Sequence, residues 1–150
     1  MKDNYHKDIA RYRLERAIES LSSARQNYHL GNYKITVSQS YYCILSAMRA
    51  LLALQHVDSH RQEGVITLFH KHYVRANLFP KDFNKVIKKT KEHREEADYG
   101  DFAQITKEMA ESEIASAERF LRIAEEVFAK ILAGKGTSPP QKVKNTNKLT

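Results

Sequence analysis

Between Ala110 and Ile131, the residues Ala110, Ile114, Ala117, Leu121, Ala124, Phe128 and Ile131 recur in steps of four and three, and Gly134 closes the pattern. That spacing draws one narrow apolar seam along a helix of about six turns. A seam of this length must be covered by other helices. Packing within the same domain is the expected cover, and a subunit contact is the alternative. Phe120 and Val127 flank the seam.

The rest of the chain is punctuated as an all-helical domain would be. Only three prolines occur, two of them at Pro139 and Pro140, and the five glycines fall mostly where helical patterns break. Leu14, Ala17, Ile18, Leu21, Ala24 and Tyr28 predict a first helix over residues 7–30, which Gly31 stops. A second helix runs from Tyr33 to about Gln55 on the stripe Val37, Tyr41, Ile44, Leu45, Met48, Leu51 and Leu52. The short turn at Gly31 and Asn32 makes the two antiparallel. Ser59 and Gln62 have capping-box spacing, so a third helix is expected from His60 to near Asn77, burying Val65, Leu68, Phe69 and Tyr73. Pro80 suits the first turn of a fourth, with Phe83, Val86 and Ile87 inward, which fades at ADYGD. The expectation is an all-α, up-and-down bundle of about five helices over residues 1–134. Leu14, Leu21, Tyr41, Met48, Phe69, Ile87, Leu121 and Phe128 should be buried together.

A chain of 150 residues is the size of one domain. Its net charge of +7 is uneven: residues 135–150, KGTSPPQKVKNTNKLT, hold four lysines and no acid, leaving +3 elsewhere. So polar a segment cannot bury enough apolar surface to offset its ordering entropy, and we expect a basic disordered tail. The lone Cys43 cannot form an internal disulfide, and no window approaches the roughly 18 apolar residues of a membrane span. With a charged N-terminus, MKDNYHKDIARYR, these features point to a cytoplasmic protein with no membrane association.

The chemically suggestive stretch is SYYCILSAMRALLALQHVDSH, residues 40–60. Tyr42, Arg49 and His56 are seven apart, which on a straight helix keeps them within about 20° of one line per step. They should form a polar ridge beside the core stripe, with His56 in the turn beyond. Asp58 could orient either His56 or His60. An arginine and a histidine suffice for metal-independent RNA cleavage: the imidazole moves protons, and the guanidinium offers a planar fork to the phosphoryl oxygens. Chance alone supplies about 1.4 Arg-x(4–6)-His matches in such a composition, so a structural ion pair or interface is the competing reading of Arg49.

Other positions say less. His70 and His72 are two apart and face different ways on a helix; His56 and His60 have the i, i+4 spacing, but a turn intervenes. No Gly-rich phosphate loop, Gly-x-Ser-x-Gly elbow or paired-cysteine site is present, and neither metal nor cofactor is expected. Arg94 and Asp98 suit a surface salt bridge, with Tyr99 beside a turn. With Tyr42 they are candidates for a substrate-facing corner.

Three segments carry a family resemblance: GNYKITVSQSYYCILSAMRALL from Gly31, SHRQEGVITLF from Ser59 and REEADYGDF from Arg94. In order and spacing they resemble the HEPN family, in its short stand-alone prokaryotic form. The resemblance implies a four- or five-helix bundle, often a homodimer, and a toxin-like ribonuclease whose Arg-x(4–6)-His motifs from two subunits meet in a cleft. It also implies a small nucleotidyltransferase antitoxin as partner. Carried over, Arg49 would stabilise phosphate and His56 would move protons. The spacer of six is the longest of the pattern, position 58 is Asp where an adenylylated subgroup has Tyr, and in similar chains the recurrent histidine is that at His60. A non-catalytic module that binds a nucleotidyltransferase or a nucleotide is the alternative function.

Overall fold

The computed structural model describes residues 2–100 and 104–134; the expected tail at 135–150 and Phe102 of the third segment lie outside the described residues. Five α-helices follow in order: α1 (Lys2–His29), α2 (Tyr33–Leu54), α3 (Gln62–Phe69), α4 (Phe83–Tyr99) and α5 (Lys107–Leu132). A π-helical turn, His70–Val74, continues α3. Among the described residues there is no strand, and no helix is long and apolar enough to cross a membrane.

Gly31 turns the chain at φ 81°, and Asn32 N–H reaches back to the Asn27 carbonyl at 2.8 Å, closing α1. α1 and α2 therefore lie antiparallel, with Thr36 Oγ1 on the Ala24 carbonyl at one end and Arg13 Nη1 on the Arg49 carbonyl at the other. α2 packs against all four other helices. Its expected stripe is buried throughout, and so are Cys43, Ala47, Ala50, Ala53 and Leu54. Alanines on further faces let neighbours approach closely, so α2 is the central helix, with Lys34 and Ile35 exposed near its start and Arg49 partly exposed near its end. Burial pushes the Cys43 thiol up to about 12, so it stays protonated.

The seam of α5 lies within the bundle, against α2 and α1, with Ala110, Ala117, Leu121, Ala124 and Phe128 buried. Phe120, beside the seam, is fully buried in an aromatic cluster with ring centroids 5.4 Å from Phe69, 5.1 Å from Phe79 and 5.1 Å from Phe83. Of the eight residues expected in the core, seven are buried and Leu14 is half-buried against them.

Several local expectations are corrected. α1 starts five residues earlier than expected, and Ile18 is 44% exposed on its outer face. α3 starts at Gln62, not His60, without a capping box: Ser59 Oγ accepts from Arg61 N–H, while the Gln62 side chain turns inward. The third helical stretch ends earlier as α-helix, and Asn77 takes φ 63° in the turn that follows the π segment. Pro80 precedes α4 in a turn whose carbonyl accepts from Phe83 N–H at 3.2 Å. Its ring fixes that turn instead of the first turn of the helix.

Gly64 explains how the α2–α3 loop seats. A Cβ there would meet Ser59 Oγ at 2.0 Å and Ser59 Cβ at 2.8 Å. Alanine in a helix ordinarily gains about 0.5–1 kcal/mol over glycine, but here it must displace Ser59. Gly64→Ala is expected to lose about 1 kcal/mol in denaturant unfolding, and Ser59→Gly in the same chain to recover it. A gain in stability from Gly64→Ala alone would contradict this seating.

Candidate functional site

At the end of the α1–α2 pair opposite Gly31, two arginines meet one carboxylate. Arg13, from α1, donates from Nη2 to Asp58 Oδ2 at 3.0 Å and from Nη1 to the Arg49 carbonyl at 3.4 Å. Arg49, in the last turns of α2, donates from Nη2 to the Ser59 carbonyl at 2.9 Å. Its Nε is buried, lacks a hydrogen-bond partner among the described residues, and lies 3.6 Å from Asp58 Oδ1, inside ion-pair range but beyond a hydrogen bond. Asp58 also accepts from Ser59 N–H at 2.8 Å. Partial burial opposes ionisation of Asp58, but the Ser59 amide and the Arg13 and Arg49 guanidiniums outweigh it and hold its carboxyl below the ordinary value.

The same end of the bundle carries the histidines. His56 takes φ 60° just past α2, a left-handed conformation that histidine adopts uncommonly, and its ring stacks on His6 of α1 at 3.8 Å and 14°. His56 and His60 are both exposed. Arg49 and His56 therefore stand at one end of the molecule, joined by two residues that the pattern of α2 alone did not indicate, Arg13 and His6. A signal for them existed. Pivoting the sequence about Gly31 sets 13 opposite 49 and 6 opposite 56.

The second candidate group gathers about two turns earlier on α2, roughly 10 Å along its axis from Arg49. Arg94 of α4 is 6% exposed, and its guanidinium carbon sits 4.9 Å from the Tyr41 ring centroid, 6.0 Å from Tyr42 and 5.9 Å from Tyr99. Nη2 donates to Gln62 Oε1 at 2.8 Å, the same oxygen that accepts from Tyr41 Oη at 2.8 Å. Nη1 lies 3.5 Å from Asp98 Oδ2, and Asp98 in turn accepts from Ser38 Oγ. The expected surface pair is thus half inside: Arg94 is buried at a junction of α2, α3 and α4, while Asp98 stays exposed at its edge. All four members of the expected corner, Tyr42, Arg94, Asp98 and Tyr99, do meet there. Asp98 and Tyr99 are the exposed members, Tyr99 at 73%, on a shallow groove of about 480 Å³ lined also by Lys34, Ile35, Ser38, Gln39 and Ala97.

A buried acid also escaped the sequence reading: Glu113 of α5, 2% exposed, lies 2.7 Å through Oε2 from His93 Nδ1 of α4. Among the described residues, no three His, Cys, Asp or Glu side chains converge in a group that could hold a metal ion.

The class of protein that the fold defines is an all-helical bundle centred on α2. The sequence profile of the HEPN domain matches residues 10–127, and the chain belongs to that family. Relatives span nearly the same length. "Putative toxin MJ0142" of Methanocaldococcus jannaschii is 26% identical over 121 residues, 81% of this chain and 82% of the relative. "Putative toxin MJ0605" of the same organism is 30% identical over 119 residues, covering 79% and 88%. A "UPF0332 protein" of Thermotoga maritima is 27% identical over 125 residues, covering 83% and 95%.

Proposed function

We propose that the protein is the toxin half of a toxin–antitoxin pair and cuts RNA without a metal ion, with Arg49 and a histidine, His56 or His60, as its chemical groups. The observation that carries this is the open end of the bundle, where Arg49, Arg13, His6, His56 and His60 leave Asp58 as the one acid named among them. A phosphodiester fits such a place, since guanidiniums bind its oxygens in forks and hold the charge that grows on them. One imidazole removes the proton of the 2′-hydroxyl, whose oxygen attacks phosphorus. A second imidazole protonates the departing 5′-oxygen, leaving a 2′,3′-cyclic phosphate and a 5′-hydroxyl. In this reading a symmetric homodimer pairs this end of one chain with that of its partner, and each chain contributes one of the two imidazoles. The antitoxin would be a small nucleotidyltransferase, and the compartment the cytoplasm.

A specific observation favours a second reading, a non-catalytic module that binds a nucleotidyltransferase or nucleotide. Arg49 already faces Asp58 and the Ser59 carbonyl inside its own chain. The deciding experiment is cleavage of RNA by the purified protein with chelator present, alongside Arg49→Ala, His56→Ala and His60→Ala. Loss of roughly 10²-fold in rate is expected for Arg49→Ala and for the histidine that moves protons. Equal rates in all four proteins would reject catalysis and leave the binding module. In the same samples, a monomer at working concentration would reject the shared cleft.

A further inference from the structure

We propose that Arg13 is a second phosphate-binding guanidinium beside Arg49, and that Asp58 is a built-in plug which occupies the phosphate position until a polynucleotide displaces it. The inference rests on the RNA-directed reading above and adds two residues to it.

Geometry provides the first argument. Arg13 and Arg49 come from different helices, and both reach the same carboxylate, at 3.0 Å to Oδ2 and 3.6 Å to Oδ1. A carboxylate and a phosphodiester each present two oxygens sharing one negative charge to such forks. A fork that suits one has the donor geometry for the other. Hydrogen bonding provides the second: Asp58 leaves the arginines imperfectly filled, because Arg49 Nε is buried with no acceptor within bonding distance. A larger anion with further oxygens would satisfy the donor that the carboxylate leaves over.

Placement provides the third. The arginines are anchored on long helices, whereas Asp58 sits in the seven-residue connection between α2 and α3, two residues past His56, with 45% of its side chain exposed. Arg13 and Arg49 are 25% and 34% exposed, so solvent reaches both. An incoming backbone can therefore replace Asp58 without moving α1 or α2. Two guanidiniums this close would repel without an anion between them, and Asp58 keeps them converged in the unliganded chain. The same contact competes with substrate, which makes it autoinhibitory.

The test is binding, with a fluorescent RNA oligonucleotide carrying 2′-O-methyl groups at every sugar, so that no 2′-hydroxyl is left to attack. Anisotropy titrations over a salt series would compare wild type with Arg13→Ala, Arg13→Lys, Asp58→Asn and Arg49→Ala. Arg13→Ala is expected to weaken binding about tenfold and to flatten the dependence of log K on log salt by about one phosphate contact. Arg13→Lys should restore the slope but only part of the affinity. Asp58→Asn, which keeps the shape and removes the charge, is expected to tighten binding about fivefold or more. Unchanged affinity and slope in Arg13→Ala, unchanged or weaker binding in Asp58→Asn, or no binding by either wild type or Asp58→Asn would overturn the proposal. Should Arg13→Ala fail to fold by circular dichroism, Arg13→Lys and Asp58→Asn decide alone. The two readings separate cleanly: effects of Arg13 and Asp58 on binding without cleavage by wild type reject the nuclease and keep the site, and cleavage without those effects does the reverse.

Discussion

Replacing Phe120 by alanine is expected to lower the free energy of unfolding by about 4 kcal/mol and the melting temperature by roughly 15 °C. The size of the effect follows from where the ring sits. Phe120 is the meeting point of the cluster, tilted against Phe69 and Phe79 and edge-on to Phe83 at 83°. Those partners come from α3, the connection before α4, and α4 itself, so removal of one ring opens a void bordered by three separate segments. Such a void closes poorly, because each wall is held by other contacts: Tyr73 by the Leu51 carbonyl, and Asp82 by Arg119 at 2.7 Å. Chemical denaturation at constant m-value would check the figure. A loss under 1.5 kcal/mol would mean that the cluster collapses onto the gap.

Arg94→Ala is the second substitution expected to cost heavily, about 3 kcal/mol, although its formal partner Asp98 is only one helical turn away. An exposed pair with that spacing contributes a few tenths of a kcal/mol. Here the arginine is 6% exposed, and its loss leaves the Gln62 oxygen with one donor fewer, Asp98 with a missing counter-charge, and the Tyr41 ring without its cation. The double variant Arg94→Ala, Asp98→Ala should therefore lose clearly less than the sum of the single losses, with a coupling of about 1 kcal/mol. Strict additivity, or a loss under 0.5 kcal/mol in Arg94→Ala, would show that water takes over the role of the junction.

The helices were legible because apolar residues at three- and four-residue steps leave few alternatives, as α5 and the core stripe of α2 show. The burial of α2 beyond its stripe was not, since Ala47, Ala50 and Ala53 carry no strong hydrophobic signal and become buried only because four neighbours crowd the helix. Gln62 misled for a related reason. Its spacing from Ser59 matches a local cap, yet two distant donors, Tyr41 and Arg94, compete for its oxygen and win. Arg94 and Asp98 were recognisable as a pair, but periodicity within one helix does not report what the next helix lays over it. At the candidate site, Arg49 and His56 were visible on one element. Arg13 and His6 required the register between two elements, which the tight turn at Gly31 fixes and which a helix-by-helix reading leaves unused.

The central position of α2 also has a consequence in time. Every residue of the arginine–carboxylate group lies within the first 60 positions, so a ribosome delivers the whole group early. The helix beneath it is different: α2 is shielded from water only when α5, which ends at Leu132, has been made. At ordinary elongation rates of about 5–20 residues per second, the α1–α2 hairpin waits on the order of several seconds with one apolar side bare. During that interval Arg13 and Arg49 stand on an unfinished support and Asp58 on an unanchored loop. The site becomes a rigid object only with the last helix, so the chain acquires it late, as a property of the completed bundle.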